Sequence, residues 1–348
     1  SGFDEISLLS LNSSDFKDLQ WLMMKEKMLL SEDRLSFSFP SLRFDGLTSE
    51  MVDFVKSFRK GGFTFAPEAG SQRLRNVINK NLKEEDILQT LQLVLENGWQ
   101  LVKFYFMLGL PTEKQEDLDA IVALLQKCLQ LSKQYKDVRF NVSLSPFSPK
   151  PHTPFQWEKQ ETPEVLEQKS RYLLDRLKHP RLSVTWRDGY TSSLETVFNR
   201  GGRELAAVLE KAWRQGARFD GWQEGFDWPR WQQAFAETGV DWKKYLKPLS
   251  VSVPLVWDHI DMGITKSFLH KEKLKAYEGR VSPDCKDSVC LGCGLQRKEF
   301  EKLVNCYQEA QDKKRVRAPG GTSSGPAGTV HSPKPTFGRT AKKRDTSI

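Results

Sequence analysis

The sequence predicts an α/β fold with parallel strands, and three observations support this prediction. The segment Thr64–Lys80 reads TFAPEAGSQRLRNVINK, and Val102–Glu113 reads VKFYFMLGLPTE. Each combines a short apolar run with a loop of glycine, proline and carboxylate, and a helical pattern follows. Helical stripes separate five strand-like segments in all, which requires crossover connections between parallel neighbours. Periodicity leaves open whether the sheet is doubly wound or part of a barrel.

The predicted strands alternate with predicted helices through the first half of the chain. The strands are Asp4–Leu11, Arg34–Phe39, Phe63–Ala66, Leu101–Leu108 and Val138–Leu144. Helices follow at about residues 15–30, 48–59, 81–97 and 117–131, and another begins at Thr162 and Pro163. Thr112 and Gln115 form a capping-box pattern before the fourth helix. Leu101–Leu108 is almost continuously apolar, which predicts a strand covered on both faces.

The pattern changes near Ser183, where helical stripes and a segment rich in tryptophan and glycine replace the strands. We therefore predict a strand-bearing domain at residues 1–160, a smaller and mainly helical extension at 161–310, and a tail at 311–348 that is disordered by composition. The tail holds nine Lys or Arg against two Asp, so it accounts for +7 of the formal net charge of +8. A nucleic-acid partner is expected only through this tail.

Composition narrows the class of protein further. No apolar stretch is long enough to cross a bilayer, so we expect no membrane segment. Five cysteines, an odd number, do not form a disulfide framework and indicate a reducing compartment, which we expect to be the cytoplasm. The sequence begins with serine almost directly in a strand pattern. We therefore expect that an N-terminal portion of the same protein precedes it and completes it.

The loop after the third strand carries the first candidate site residues. The carboxylate of Glu68 and the hydroxyl of Ser71 could hold amino or ribose groups of a ligand, and Gly70 would let the backbone approach that ligand closely. Ser71 fits equally well as the N-cap of the next helix, with an acid near the positive end of its dipole. Lys80 could pair with a ligand carboxylate, although a solvated surface lysine is the commoner case.

The fourth strand and the loop after the fifth supply further candidates. Tyr105, Met107 and Gly109 alternate along one side, where an aromatic ring and a thioether would suit a heteroaromatic ligand. Spacing alone favours ordinary core packing for them. His152, which lies among prolines, is a candidate substrate contact. Cys128 lies on an apolar helix stripe and is predicted to be a core residue.

Three late cysteines have the spacing of a metal site. Cys285, Cys290 and Cys293 form a C-x4-C-x2-C-G element, and thiolates this close together can share zinc or belong to a cluster. A closed zinc site needs a fourth ligand, and Gln296 stands where a further cysteine would complete the pattern. Cys306 is the nearest other thiol, and free thiols are the alternative.

Eight elements occur in order along residues 1–310. They are LLSLNSSD, FPSLRFD, FAPEAGSQRLRNVINK, YFMLGLPTE, NVSLSPFSPKPHTPFQW, GARFDGW, PLVWDHID and the C-x4-C-x2-CG element. In these elements the chain resembles the radical S-adenosylmethionine superfamily, and more narrowly its cobalamin-binding type of unassigned substrate. The resemblance implies a partial (β/α)6 TIM-like barrel, whose strands two to six lie within residues 1–160, with the ligand at the carboxyl ends of the strands.

The resemblance also implies S-adenosylmethionine as the cofactor and assigns residues to it. In the numbering of the family's barrel, each strand of this sequence counts one higher than above, because the first strand is not present here. The implied cofactor-binding residues are Asn12 and Ser13 at the amino group, Glu68 and Ser71 in the family's fourth-strand motif, Lys80 at the methionyl carboxylate, Tyr105, Met107 and Gly109 in its fifth-strand motif, and Ser143 on its sixth strand.

The family's defining CxxxCxxC loop is absent from this sequence. In the family its thiolates hold a [4Fe–4S] cluster, which supplies the electron for cleavage of S-adenosylmethionine to the 5′-deoxyadenosyl radical. The family's cobalamin-binding domain is absent too. The resemblance therefore implies the C-terminal part of a radical enzyme of unknown substrate, inactive on its own. The rival hypothesis is a non-catalytic binding module with a thiol metal site and a basic tail.

Overall fold

The computed structural model describes residues 5–7, 21–22, 36–38, 62–222, 224–284 and 290–295. The helices expected at about residues 15–30 and 48–59 lie outside these ranges, apart from Trp21 and Leu22, which are helical. The tail at 311–348 and the candidates Asn12 and Ser13 also lie outside them. Through Gly294 the described residues belong to one compact unit.

The described strands are parallel and alternate with helices, which confirms the predicted α/β class. Strands β1 (Glu5–Ser7) and β2 (Ser36–Ser38) pair with each other. A four-stranded sheet follows in the order β3 (Phe63–Glu68), β4 (Leu101–Leu108), β5 (Arg139–Pro146) and β6 (Leu182–Trp186). In the described part of the chain these two sheets are separate, so the partial barrel stays a prediction.

Eight α-helices and one 3₁₀ helix are described. They are α1 (Gln72–Val77), α2 (Glu84–Glu96), α3 (Gln115–Ser132), α4 (Pro163–Arg176), α5 (Gly189–Arg200), α6 (Leu205–Arg214), α7 (Trp228–Thr238), the 3₁₀ helix Trp242–Leu246 and α8 (Lys266–Tyr277). Helix α4 begins with proline after Thr162, as expected, because proline already has a helical φ and needs no hydrogen bond there. None of the described helices combines the length and apolarity that crossing a bilayer requires.

One face of the four-stranded sheet forms the main core. Phe65, Phe104, Phe106 and Phe140 are at most 2% exposed and pack with apolar side chains of α2, α3 and α4. Cys128 belongs to this core, as predicted, and burial raises the pKa of its thiol to about 12. A thiol with such a pKa is protonated at neutral pH and is not a ready nucleophile.

The other face, which we call the open face, consists of side chains that are partly or fully exposed. It carries Thr64, Ala66, Leu101, Lys103, Tyr105, Met107, Arg139, Asn141, Ser143, Ser145, Ser183 and Thr185. The prediction that Leu101–Leu108 is covered on both faces is wrong, since Tyr105 is 41% exposed. Apolar composition concealed the alternation, because tyrosine and the lysine stem satisfy an apolar pattern while their polar ends reach solvent.

Strand β6 was not predicted. The sequence pattern was expected to become helical from Ser183, whereas Leu182–Trp186 pairs in parallel with β5. Two of the five residues of LSVTW are polar because Ser183 and Thr185 lie on the open face of a strand that is at the edge of the sheet within the described residues. A strand with one exposed face and one free edge lacks the apolar run that marks a central strand.

The helices after β6 build a second core around tryptophan. Trp228, Trp231 and Trp242 are each at most 9% exposed and pack with α5, α6 and the 3₁₀ helix. The rings of Trp228 and Trp242 meet edge to face, with centroids 4.8 Å apart. This arrangement explains why tryptophan is concentrated in a segment of otherwise polar sequence.

Candidate functional site at the strand ends

Strand β3 ends in a β-bulge, and this bulge sets the position of Glu68. The register between β3 and β4 shifts between Phe65 and Glu68, so that Phe65 pairs with Phe104 and Glu68 with Phe106. Glu68 has a left-handed backbone with φ of 66°, which is uncommon for a residue with a side chain. Such bulges re-aim side chains next to binding sites, and here the bulge brings a carboxylate to the carboxyl end of the sheet.

Glu68 and Lys80 face each other across this turn. Lys80 Nζ lies 3.8 Å from Glu68 Oε1, and the two side chains are 36% and 27% exposed, respectively. Burial raises the pKa of Glu68, and Lys80 opposes the shift. The lysine is held in place because its backbone N–H donates to the Arg75 carbonyl at 2.8 Å. The two predicted ligand residues therefore form one partly solvated pair of opposite charges.

Ser71 caps helix α1. Its Oγ accepts a hydrogen bond from the Leu74 N–H at 3.0 Å and donates one to the Asp117 carboxylate. These contacts support the helix-cap interpretation over the ligand interpretation. Because its proton and one lone pair are already used within the protein, Ser71 is the weakest of the cofactor-binding assignments.

Asp117 joins the two strand-end loops. Beyond Ser71, its carboxylate accepts from Arg73 and from the Lys114 N–H, the latter at 2.8 Å. Lys114 is therefore the N-cap position of α3 and Asp117 completes a capping box, so the predicted cap at Thr112 is wrong. Thr112 instead has a φ of 65° and accepts from the Arg73 guanidinium. Burial raises the pKa of Asp117, but its hydrogen bonds outweigh burial and hold the pKa below its ordinary value.

Replacing Asp117 with asparagine is expected to lower the free energy of unfolding by about 2 kcal/mol at pH 7, because the carboxylate is 3% exposed and accepts charged and neutral donors. A lowered folded pKa means that this stabilisation is present above the ordinary pKa of aspartate and is lost as the pH falls through the folded value. Urea unfolding at several pH values measures the difference in the free energy of unfolding between the variant and the parent chain, and this difference should become smaller in acid. Asp175→Asn, on a side chain that is 68% exposed, is the control, and an equal loss in both variants would contradict the prediction.

Tyr105 and Ser143 are neighbours on the open face. They are register partners on β4 and β5, and Thr185 continues the row on β6. Adjacent strands lie about 4.8 Å apart, so one planar ligand could contact the tyrosine ring and both hydroxyl-bearing residues. Met107, two residues beyond Tyr105, packs partly against a cluster that includes Leu110 and Phe147. The core-packing interpretation of Met107 is confirmed in part, since its side chain is half-buried, and the ligand contact stays a prediction.

Gly109 begins the loop after β4 in a left-handed conformation with φ of 80°. Its N–H donates to both oxygens of Glu113 at 3.0 Å, and a Cβ at Gly109 would lie 3.1 Å from Leu166 and 3.2 Å from Glu161. Glu113 is 2% exposed and pairs with Lys169 at 2.6 Å. Burial raises the pKa of Glu113, while Lys169 and the Gly109 N–H oppose the shift. The turn and its packing thus account for glycine without a ligand.

His152 lies in the loop after β5, at the same edge of the sheet. It has a φ of 56°, and its backbone N–H donates to Gln156 Oε1, which also accepts from the Trp257 indole at 2.7 Å. Its ring atom Nε2 is buried without a hydrogen-bond partner among the described residues. Buried polar atoms are normally paired, so this unpaired ring nitrogen is the feature of the loop that a ligand contact would explain.

The described part of the late cysteine cluster consists of Cys290, which is exposed, and Cys293, which is partly buried. The Cys293 carbonyl accepts from the Thr265 N–H at 2.7 Å at the start of α8. Cys285 lies outside the described residues. Among the residues that are described, no three Cys, His, Asp or Glu side chains gather as a metal site would require. The three-cysteine metal site therefore stays a prediction.

Sequence reasoning missed Asp117 and Glu113, which organise the two strand-end loops, and Lys103, Arg139 and Asn141 on the open face. Strand alternation in LVKFYFML and RFNVSLS could have revealed the last three. The contact that joins Asp117 to the first loop has no local signal, because its partner Ser71 is 46 positions away.

Comparison with known proteins finds a similarity to an archaeal protein. The chain is 30% identical over 207 residues to a protein of Methanocaldococcus jannaschii that is described as uncharacterized. The similarity covers 60% of this chain and 44% of that protein, so the chain spans less than half the length of this relative. No family model matches the chain.

Proposed function

We propose that this chain contributes the S-adenosylmethionine-binding wall of a radical S-adenosylmethionine enzyme, as the C-terminal part of a longer protein in a reducing compartment such as the cytoplasm. The observation that carries the proposal is one sheet that combines an exposed aromatic ring beside a hydroxyl row on its open face with a pair of opposite charges at the carboxyl end of β3. In α/β folds this edge of the sheet is where ligands bind.

The chemistry of the site fits this cofactor. S-adenosylmethionine has an adenine ring, a ribose and a zwitterionic amino acid. The partly exposed pair of Glu68 and Lys80 offers an acceptor for the amino group and a donor for the carboxylate, and each ligand charge would replace one partner of the pair. Tyr105 offers a ring for stacking on adenine, and Ser143 lies beside it.

Other residues hold the site rather than contact the cofactor. The Gly109 N–H is bonded to Glu113 and the Ser71 hydroxyl to Asp117, so both act by fixing the loops that follow β3 and β4. His152, in the loop after β5 at the same edge of the sheet, would be the substrate contact. An iron–sulfur cluster with ligands outside this sequence would supply the electron that cleaves the bound cofactor. Cobalamin would belong to the longer protein as well.

Binding of S-adenosylmethionine to the full 348-residue chain, measured by isothermal titration calorimetry, tests the proposal. Saturable binding is expected, and Tyr105→Ala should weaken it about tenfold through the lost stacking contact. Glu68→Gln should also weaken it. Phe219→Ala is the matched control, because this aromatic ring is 80% exposed and lies among the later helices. Absence of saturable binding, or equal effects of the Tyr105 and Phe219 variants, would overturn the proposal.

The chain alone is expected to be inactive. After anaerobic reconstitution with iron and sulfide, it should produce no 5′-deoxyadenosine from S-adenosylmethionine, and production would contradict the assignment of the cluster ligands to another part of the protein. The rival hypothesis of a binding module is favoured by the lack of a CxxxCxxC element in the sequence. RNA affinity that falls with salt and disappears on deletion of residues 311–348 would support that rival.

A further inference from the structure

The open face carries positive charge at the end that lies opposite the candidate cofactor site. Lys103 is half-buried on β4, and Arg139 is exposed at the start of β5. Neither side chain has an ion-pair partner or a side-chain hydrogen bond within the described part of the chain. The described strand residues of this face include no Asp or Glu, and Asp137 precedes Arg139 by two positions, before β5 begins. The two cations therefore form a local positive field on the open face.

Neutral hydrogen-bonding groups flank these cations. Thr64, Lys103, Asn141 and Ser183 are register partners on four successive strands and form one polar row across the face. Arg139 precedes Asn141 by two residues, about 6.6 Å along the strand, and neighbouring strands are about 4.8 Å apart. The two long cationic side chains can therefore converge on one anionic group beside the Asn141 amide.

A parallel sheet normally has both faces covered, so this polar face calls for an occupant of matching chemistry. We propose that it binds the phosphate group of a small phosphorylated substrate, whose reacting end lies toward Tyr105. Phosphate matches this subsite better than a carboxylate, because the subsite offers more hydrogen-bond donors than a carboxylate can accept. The donors are the ammonium of Lys103, the guanidinium of Arg139, the amide of Asn141 and the hydroxyls of Thr64 and Ser183. The reaction at Tyr105 rests on the proposed function, but the phosphate subsite does not.

The number of cations argues against a nucleic-acid polymer on this face. Polymer binding depends on several neutralised phosphates at once, whereas the open face carries only Lys103 and Arg139 among its described residues. The basic excess of the chain resides in residues 311–348, which hold +7 of the formal net charge of +8. A single phosphate on a small molecule fits two cations.

Isothermal titration calorimetry of the full chain with inorganic phosphate and with ribose 5-phosphate tests this inference, with ribose and acetate as comparison ligands. Both phosphates should bind, and more tightly than ribose or acetate. Lys103→Met and Arg139→Met should each weaken phosphate binding about tenfold. Lys178→Met is the matched control, because this lysine is 75% exposed and lies off the open face, and it should change nothing. Near-UV circular dichroism checks that each variant keeps its fold.

Three results would overturn the inference. The first is phosphate binding that the Lys103 and Arg139 variants leave unchanged, and the second is the absence of saturable phosphate binding. The third is an RNA oligonucleotide that binds more tightly than ribose 5-phosphate and loses affinity in the same two variants, which would assign the face to a polymer. Titration with S-adenosylmethionine separates the two proposals. Phosphate binding without cofactor binding would reject the proposed function and keep the phosphate subsite. Cofactor binding without phosphate binding would reject the phosphate subsite and keep the proposed function.

Discussion

Replacing Arg200 with alanine is expected to lower the free energy of unfolding by about 4 kcal/mol. Arg200 is 5% exposed at the end of α5, and its guanidinium donates to the carbonyls of Tyr245 at 3.0 Å, Lys247 at 2.8 Å and Gln156 at 2.9 Å, and to that of Glu158. Burial lowers its pKa to about 10, although Glu158 opposes the shift. It therefore remains charged at neutral pH.

The loss of stability in Arg200→Ala is large because the substitution leaves buried carbonyl groups without a hydrogen-bond donor. Four carbonyls from the loop after β5 and from the end of the 3₁₀ helix would lose a donor inside the protein, and buried acceptors without partners are costly. Arg200→Lys keeps the charge but not the planar fork of donors, so about half of the loss is expected. The outcome also matters for the site, because the same loop carries His152.

Urea unfolding followed by circular dichroism measures both variants. Arg203→Ala is the control, because Arg203 is exposed three positions later on the chain, and it should change stability by less than about 0.5 kcal/mol. If Arg200→Ala does not fold, Arg200→Lys still gives a measurable value. A loss below about 1 kcal/mol in Arg200→Ala would show that the four carbonyls find other partners.

Replacing Gly70 with alanine should be damaging for a different reason. A Cβ at Gly70 would lie 2.2 Å from the backbone nitrogen of Ile121 and 2.6 Å from the carbonyl carbon of Ala120. These are backbone atoms of α3, so no side-chain rotation can relieve the overlap. The close approach predicted at Gly70 therefore exists, but the approaching group is a helix and not a ligand. The expected loss of stability is about 3 kcal/mol.

The variant should also disturb the candidate site, since moving α3 separates Asp117 from Ser71. Chemical unfolding measures the loss, and titration with S-adenosylmethionine measures the effect on binding. Gly221→Ala is the matched control, because a Cβ there meets nothing within 4 Å, and its stability should stay within about 0.5 kcal/mol of the parent chain. Equal stability of the two variants would contradict the close packing of α3 on this loop.

Local patterns predicted the strands well. The bounds of Leu101–Leu108 agree with the structure, and β3 and β5 differ from their predictions by two residues at an end or less. Two expectations failed, one for a reason that lies outside the local sequence and one for a contact within a single helical turn. Strand β6 is polar because one of its faces is open, and α3 is capped at Lys114 because Asp117 reaches back to that backbone N–H.

The candidate site was only partly predictable. Glu68 and Lys80 were identified as separate ligand residues, but their mutual ion pair depends on the bulge at the end of β3. The sequence around Ser71 fits both a helix N-cap and a ligand contact, and its contacts with Leu74 and Asp117 support the N-cap. Lys103 and Arg139 were missed, because an isolated charge in a strand carries no information about whether its neighbours neutralise it.

The amino-acid order alone was sufficient for the α/β class, the strand-loop-helix units, the place of Tyr105 on β4 and the strand-end positions of Glu68, Gly109 and His152. These features follow from periodicity and turn chemistry over a few residues. The three-dimensional packing was needed to show that one face of the sheet is open, that α3 lies against Gly70 and that Asp117 joins two loops. Such contacts connect residues more than 40 positions apart, and the balance of burial and charge that selects them is a property of the whole fold.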